Sequence, residues 1–154
     1  MANAADSIVD SLISALRPGL DVAGLSALFA TAMADLLPIV PFDAAILLRC
    51  EENPDWVRAV GEFSNGAAIA PVNTLRKARG TGLHVVNGFP GGVEFVPQLG
   101  GVPASAELAS AGVAIAWAMP LFAMGVSHGL FSVNRRLAAS FATHEVTILR
   151  RIGA

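Results

Sequence analysis

The sequence predicts an α+β domain built on an antiparallel sheet, and three observations carry that reading. Two helical periodicities open the chain, apolar runs of strand length follow in hairpin-like pairs, and an amphipathic helical pattern closes it. At 154 residues the chain suits one domain with a sizeable core.

The first helical pattern spans Ser7 to Leu16, with Ile8, Val9, Leu12, Ile13 and Leu16 on one face and Asp6 or Ser7 as cap, and it ends at Pro18 Gly19. Asp21 can cap the second. There Val22, Leu25, Leu28, Phe29, Ala32, Met33, Leu36 and Leu37 recur at helical spacing until Pro38 and Pro41 forbid continuation. The period then changes. Ala44 to Cys50 and Trp56 to Phe63 read as a hairpin around Asn53 Pro54. Ala67 to Val72 reads as a third strand, Asn73 or Thr74 to Arg79 as a short helix, and Leu83 to Val86 as a fourth strand. Asn87 to Gly92 is a loop, with Pro90 Gly91 Gly92 suited to a lid or to plain surface. Val93 to Gly112 reads as partly helical, with Ser105 capping Ala106 to Ala111.

The C-terminal stretch is the most legible. A strand from Val113 to Met119 stops at Pro120 Leu121, Gly125 marks a turn, and Gly129 to Asn134 forms the next strand. A helix then starts near Phe141 and Glu145, with Val146, Leu149 and Ile152 on one face, and has only about two turns before Ala154. We expect it to continue in a longer protein. Within Val113 to Met119, Val113, Ile115, Trp117 and Met119 point one way and Ala114, Ala116 and Ala118 the other. The alanine face is expected to receive the helices, and the Trp117 face to look onto the middle segment.

Hydrophobic content of 54%, charged content of 14% and a mean hydropathy of +0.60 predict that some apolar surface is covered by self-association. No uninterrupted apolar run approaches the roughly 20 residues of a membrane span, and Asp6 and Asp10 stand where an export signal is cationic or apolar. A cytoplasmic location is expected. Cys50 is the sole cysteine, so no internal disulfide forms. A net charge of −2, with basic residues only in short groups (Arg76, Lys77, Arg79; Arg135 Arg136; Arg150 Arg151), argues against nucleic-acid binding.

His84, His128 and His144 are too scattered for a metal site. Gly80 Thr81 Gly82 lacks a third glycine, Val85 standing in its place, and no serine or cysteine sits in a nucleophile elbow, so catalysis is not expected. The candidate pocket residues are Phe63, Phe89, Phe95 and Trp117 as walls, with Arg79, His84 and Asn87 at the rim. The aromatics also suit plain core packing, and Arg79 a helix C-terminus.

Leu36 Leu37 Pro38, Pro41 Phe42 Asp43, Gly61, Ala118 Met119 Pro120 Leu121, Gly129 to Val133, Phe141 and Glu145 Val146 occur in an order and spacing that resembles the GAF family. The likeness runs from Asp21 to the C-terminus, so the chain divides into an N-terminal helix (1–20), suited to dimerisation, and a GAF-like domain (21–154). The resemblance implies a PAS-related antiparallel sheet, terminal helices on one face and an irregular pocket-forming segment on the other. It also implies a homodimer through the terminal helices and an unidentified small-molecule ligand. The function it implies is a noncatalytic sensory domain, as in a two-component sensor histidine kinase, relaying ligand state through the C-terminal helix. The alternative is a degenerate GAF domain serving as a ligand-free spacer. Against the phosphodiesterase signature of the family, Arg135 replaces Lys, Glu145 replaces Asp and Val146 replaces the second acid, which does not support cyclic-nucleotide binding. Arg135 and Glu145 are expected to pair and clamp the last helix. Cys50 stands where neither a bilin-binding member nor a free methionine sulfoxide reductase requires a cysteine, so no bilin is expected and the cofactor stays unassigned.

Overall fold

The computed structural model describes residues 22–53, 55–64, 74–99, 105–123 and 125–153. The expected helix over Ser7 to Leu16, the division at residue 20 and the expected strand over Ala67 to Val72 lie outside them. Helix α1 (Val22–Leu36) leads into β1 (Ala44–Cys50) and β2 (Trp56–Ser64). A short β3 (Leu75–Lys77) follows, then a 3-10 turn, the single-turn helix α2 (Leu83–Val86), β4 (Val93–Phe95) and α3 (Ser105–Ser110). Strands β5 (Ile115–Ala123) and β6 (Val126–Arg135) and helix α4 (Thr143–Gly153) complete the order. The six strands form one sheet in the order β3-β2-β1-β6-β5-β4, antiparallel at every junction.

Four local readings change. The short helix expected from Asn73 or Thr74 to Arg79 is instead strand β3 over Leu75–Lys77, because β2 offers it a partner edge, followed by a 3-10 turn. Leu83 to Val86 is helical, not a strand. Gly82 starts it in the left-handed region (φ 78°), and the Val86 and Asn87 amides donate back to the Gly82 and Leu83 carbonyls. Within Val93 to Gly112, the first three residues form strand β4 because β5 offers them a partner edge. Pro120 does not stop β5; it continues, with Pro120 opposite Leu130. Strand β4 covers β5 only along Ala116–Ala118, so at Pro120 no described strand pairs with the outer side, and a missing donor facing that side breaks no ladder bond there.

The sheet separates two apolar layers. On the helix face α1 sends Phe29, Met33 and Leu36 onto Ala45, Leu47, Val60, Phe131 and Val133, while α4 lays Leu149 near Trp117 and Met119. Close approach of α1 comes from Gly61 on β2, where a Cβ would lie 2.5 Å from the Phe29 ring, and that ring also meets Phe131 edge-on at 6.2 Å. On the other face, Ala44, Ile46, Leu48, Ala59, Ala116, Ala118 and Leu130 lie beneath Leu83 and Val86 of α2 and Leu108 of α3. The expected orientation of β5 is therefore inverted. Trp117 belongs to the helix face and the alanines to the middle-segment face.

Candidate functional site

The site follows from register. Phe95 of β4 stands opposite Ala116, Ala116 opposite Asn134, Asn134 opposite Ala44, and Ala44 opposite Ser64. Residues directly opposite share a face, so these five form one transverse row on the middle-segment face. The adjacent row on that face is Val93, Ala118, Ser132, Ile46 and Glu62. Two polar groups from β6 thus stand mid-sheet on this face, each beside an alanine of β5, while Ser64 and Glu62 of β2 end the two rows.

Asn134 is fully buried (0% exposed). Its Nδ2 donates to the Ala44 carbonyl and to Ser132 Oγ, both at 3.3 Å; a carbonyl can only accept, which fixes which end of the amide faces it. The other end, Oδ1, is buried without a hydrogen-bond partner among the described residues, and so is Ser64 Oγ at the far side of the row. A buried unpaired polar atom costs about 1–3 kcal/mol, so two on one row of a folded domain require an explanation other than stability. Ala44 and Ala116 are the partners of Asn134 on the two flanking strands, and both are buried with it in this layer.

Of the residues expected at a pocket, this row contains only Phe95, half-buried. Trp117 and Phe63 point to the helix face, where Phe63 meets Phe42 edge-on at 6.0 Å. Phe89 is exposed. Asn87 accepts from the Ser127 hydroxyl at 3.0 Å and so ties α2 to the start of β6, seven residues from Asn134. His84 lines an open cleft of about 330 Å³ with Asp55, Trp56, Lys77 and Ala78. That cleft lies at the opposite end of β2 from Ser64, roughly 25 Å away at strand rise. Arg79 lies in the 3-10 turn after β3, away from the row along the chain. The residues missed by sequence reasoning are Asn134, Ser132 and Ser64. Their signal was the polar alternation of Ser132 and Asn134 between Phe131 and Val133.

The Pro90 Gly91 Gly92 loop does not cover this face. Gly92, at φ 88°, sits so close to Trp117 that a Cβ would run into its ring, and the Gly91 carbonyl accepts from Arg150 Nε of α4 at 2.8 Å. The loop therefore wraps the sheet edge onto the helix side. Glu94, between Val93 and Phe95, also reaches that side and accepts the Phe141 amide at 2.7 Å.

At the start of α4, Arg135 Nη2 meets Glu145 Oε2 at 2.7 Å, and both side chains are nine-tenths buried. Arg135 further donates to the carbonyls of Pro41, Ala139 and Ser140 and lies 3.9 Å over the Phe141 ring. Glu145 Oε1 accepts the Ala142 amide at 2.8 Å, which satisfies one of the free donors at the helix start. Burial opposes ionisation of Glu145, but the Ala142 amide and the Arg135 guanidinium, helped by His144, outweigh it and hold the carboxyl below its usual range. Cys50 is half-buried near the far end of the middle-segment face. Burial pushes its thiol up, and a bond with the Ser127 hydroxyl only partly offsets this. Among the described residues no three His, Cys, Asp or Glu gather as metal ligands, and no helix is long and apolar enough to cross a membrane.

This architecture recurs in solved structures. The GAF domain of a two-component sensor histidine kinase from Bacillus halodurans superposes with a TM-score of 0.66 at 12% identity, over 80% of this chain and 84% of that one. The chain has the GAF fold. A phycocyanobilin-bound GAF domain from a cyanobacterial phytochrome matches at TM-score 0.68 and 11% identity, covering 99% and 91% of the two chains. A red/green cyanobacteriochrome in its red light-absorbing state matches at 0.64 and 22%, covering 87% and 90%. No family model and no curated protein matches the sequence. The two-row face, covered here by α2 and α3, carries the unpaired polar atoms.

Proposed function

We propose that this GAF fold is a noncatalytic small-molecule sensory module of a cytoplasmic signal-transduction protein, such as a sensor histidine kinase. The observation that carries the reading is the fully buried Asn134, paired across the sheet with two alanines, whose Oδ1 has no partner among the described residues. A domain serving only as a spacer gains nothing from that arrangement, which costs stability. The similarity to a histidine kinase GAF domain supports the context.

Relay to the C-terminal helix runs through β4 in this reading. Val93 and Phe95 face the two rows, while Glu94 and the preceding Gly91 hold α4 at Phe141 and at Arg150, near its two ends. A ligand that moves β4 changes the seating of α4, and the Arg135–Glu145 pair holds the helix start against β6. The outer surface of α1, with Ala23, Ala27, Leu28, Thr31 and Ala34 exposed, bears only Asp35 as a charge and supports a homodimer through the terminal helices. The test is a small-molecule screen by NMR combined with hydrogen exchange. A ligand is expected to shift the Ala116 and Asn134 amides and to change exchange along Thr143–Gly153. Binding on the row with unchanged exchange in α4 removes the relay.

A further inference from the structure

We propose that the groove at the start of α4 binds a small organic cation, an amine carried on an apolar body. The groove holds about 370 Å³, within the range of small-molecule sites. Phe42 and Asp43 line it just before β1, Leu137 and Ala139 just after β6, together with the buried Arg135–Glu145 pair. It lies on the helix side of the sheet, because Arg135 alternates with Asn134 along β6 and Phe42 belongs to the core beneath α1 and α4. It is therefore separate from the two-row face, and failure of either reading leaves the other intact.

Charge sets the ligand class. The ionisable groups on the groove are two acids, Asp43 and Glu145, and one base, Arg135. Arg135 and Glu145 neutralise each other at 2.7 Å, which leaves Asp43 in excess. Its Oδ2 accepts the Arg136 amide at 2.7 Å, and among the described residues no cation pairs with the carboxylate. The Arg136 guanidinium points elsewhere. Its Nε lies 4.0 Å from where a Cβ on Gly112 would stand, on the β5 side of β6, whereas Asp43 leads into β1 on the other side. A cation is attracted by this excess, while an anion meets Asp43 with the Arg135 guanidinium already engaged by Glu145 and three carbonyls.

The apolar part follows from Leu137. This side chain is 78% exposed, and it adjoins Arg136, whose amide the Asp43 carboxylate accepts. A hydrocarbon body laid against Leu137 and Phe42 leaves water while its ammonium stays at the rim beside Asp43. Such a ligand also bears on α4. The Ala139 and Ser140 carbonyls, in the segment that delivers the chain into that helix, are held by Arg135.

The test uses the full ¹⁵N-labelled chain and three probes of similar size: benzylamine, benzyl alcohol and benzoate. Benzylamine is expected to shift the backbone amides of Phe42, Asp43, Leu137 and Ala139. Benzyl alcohol is expected to bind about fivefold more weakly, the worth of one solvent-exposed ion pair, and benzoate more weakly still. Asp43→Asn keeps an oxygen for the Arg136 amide and is expected to bring benzylamine down to the level of the alcohol. Leu137→Ser alters an exposed residue and is expected to weaken the amine and the alcohol alike. Equal binding of amine and alcohol to the wild type, tighter binding of benzoate, or an amine preference that survives Asp43→Asn overturns the cation class. If millimolar benzylamine shifts none of the four amides, the groove is not a site for it and the whole proposal falls.

Discussion

The two faces of one sheet are built to different standards. On the helix face the large side chains of β5 and β6, Trp117, Met119 and Phe131, are fully enclosed by α1 and α4. Each polar atom of the Arg135–Glu145 pair that secures α4 has a partner. Across the sheet, less than one strand thickness away, the same strands present Ala116, Ala118, Ser132 and Asn134, and two buried polar atoms on that row go without partners. Satisfied packing serves the fold, and unsatisfied polarity amid small residues marks the face kept for something else.

The sharpest way to break this contrast is from the enclosed side. Trp117→Ala is expected to cost about 3–5 kcal/mol in a denaturant titration, because it removes a side chain packed between β5, α4 and the Gly92 turn. Next comes Glu145→Gln, which keeps an acceptor for the Ala142 amide but leaves Arg135 without its counter-charge; a loss of about 2 kcal/mol is expected. The same residue has a pH signature. Its folded carboxyl titrates below the unfolded range near about 4.3, so its contribution is complete above that pH and falls away as acid titrates the folded form. Wild type is expected to lose stability over that acid window, and the Gln variant to lose less.

Gly61→Ala, still on the enclosed side, pushes a methyl group into the Phe29 ring and is expected to cost about 1–3 kcal/mol. The smallest effect belongs to the other face. Ser64→Ala removes an unpaired hydroxyl and is expected to leave stability unchanged or raise it by up to about 1 kcal/mol, read from the same titration. A loss there of the size seen at Gly61 would mean that the two faces follow one rule.

The sequence made the long elements plain and the short ones obscure, for a physical reason. Helix α1, the β1–β2 pair, β5, β6 and α4 each carry enough apolar positions to declare their period. Leu83 to Val86 is four residues, and an apolar run that short suits either state; contact of Leu83 and Val86 with the layer above the alanines decided it. Val93 to Phe95 is a strand only because β5 pairs with it. The alternation in β5 separated two faces correctly but carried no information on which one meets the helices. That depends on how α1 and α4 cross the sheet, and the close approach they need came from Gly61 rather than from the alanines. The same inversion hid the site. With Trp117 assigned to the pocket, the aromatics became the candidate walls, and Asn134 read only as the end of a strand.

The most direct test of the contrast is a crystal structure at atomic resolution, read at one atom, Asn134 Oδ1. The account predicts that no protein donor lies within hydrogen-bonding distance of that oxygen, and that any partner it has is a bound non-protein molecule. A protein N–H or hydroxyl donating to it would contradict the account.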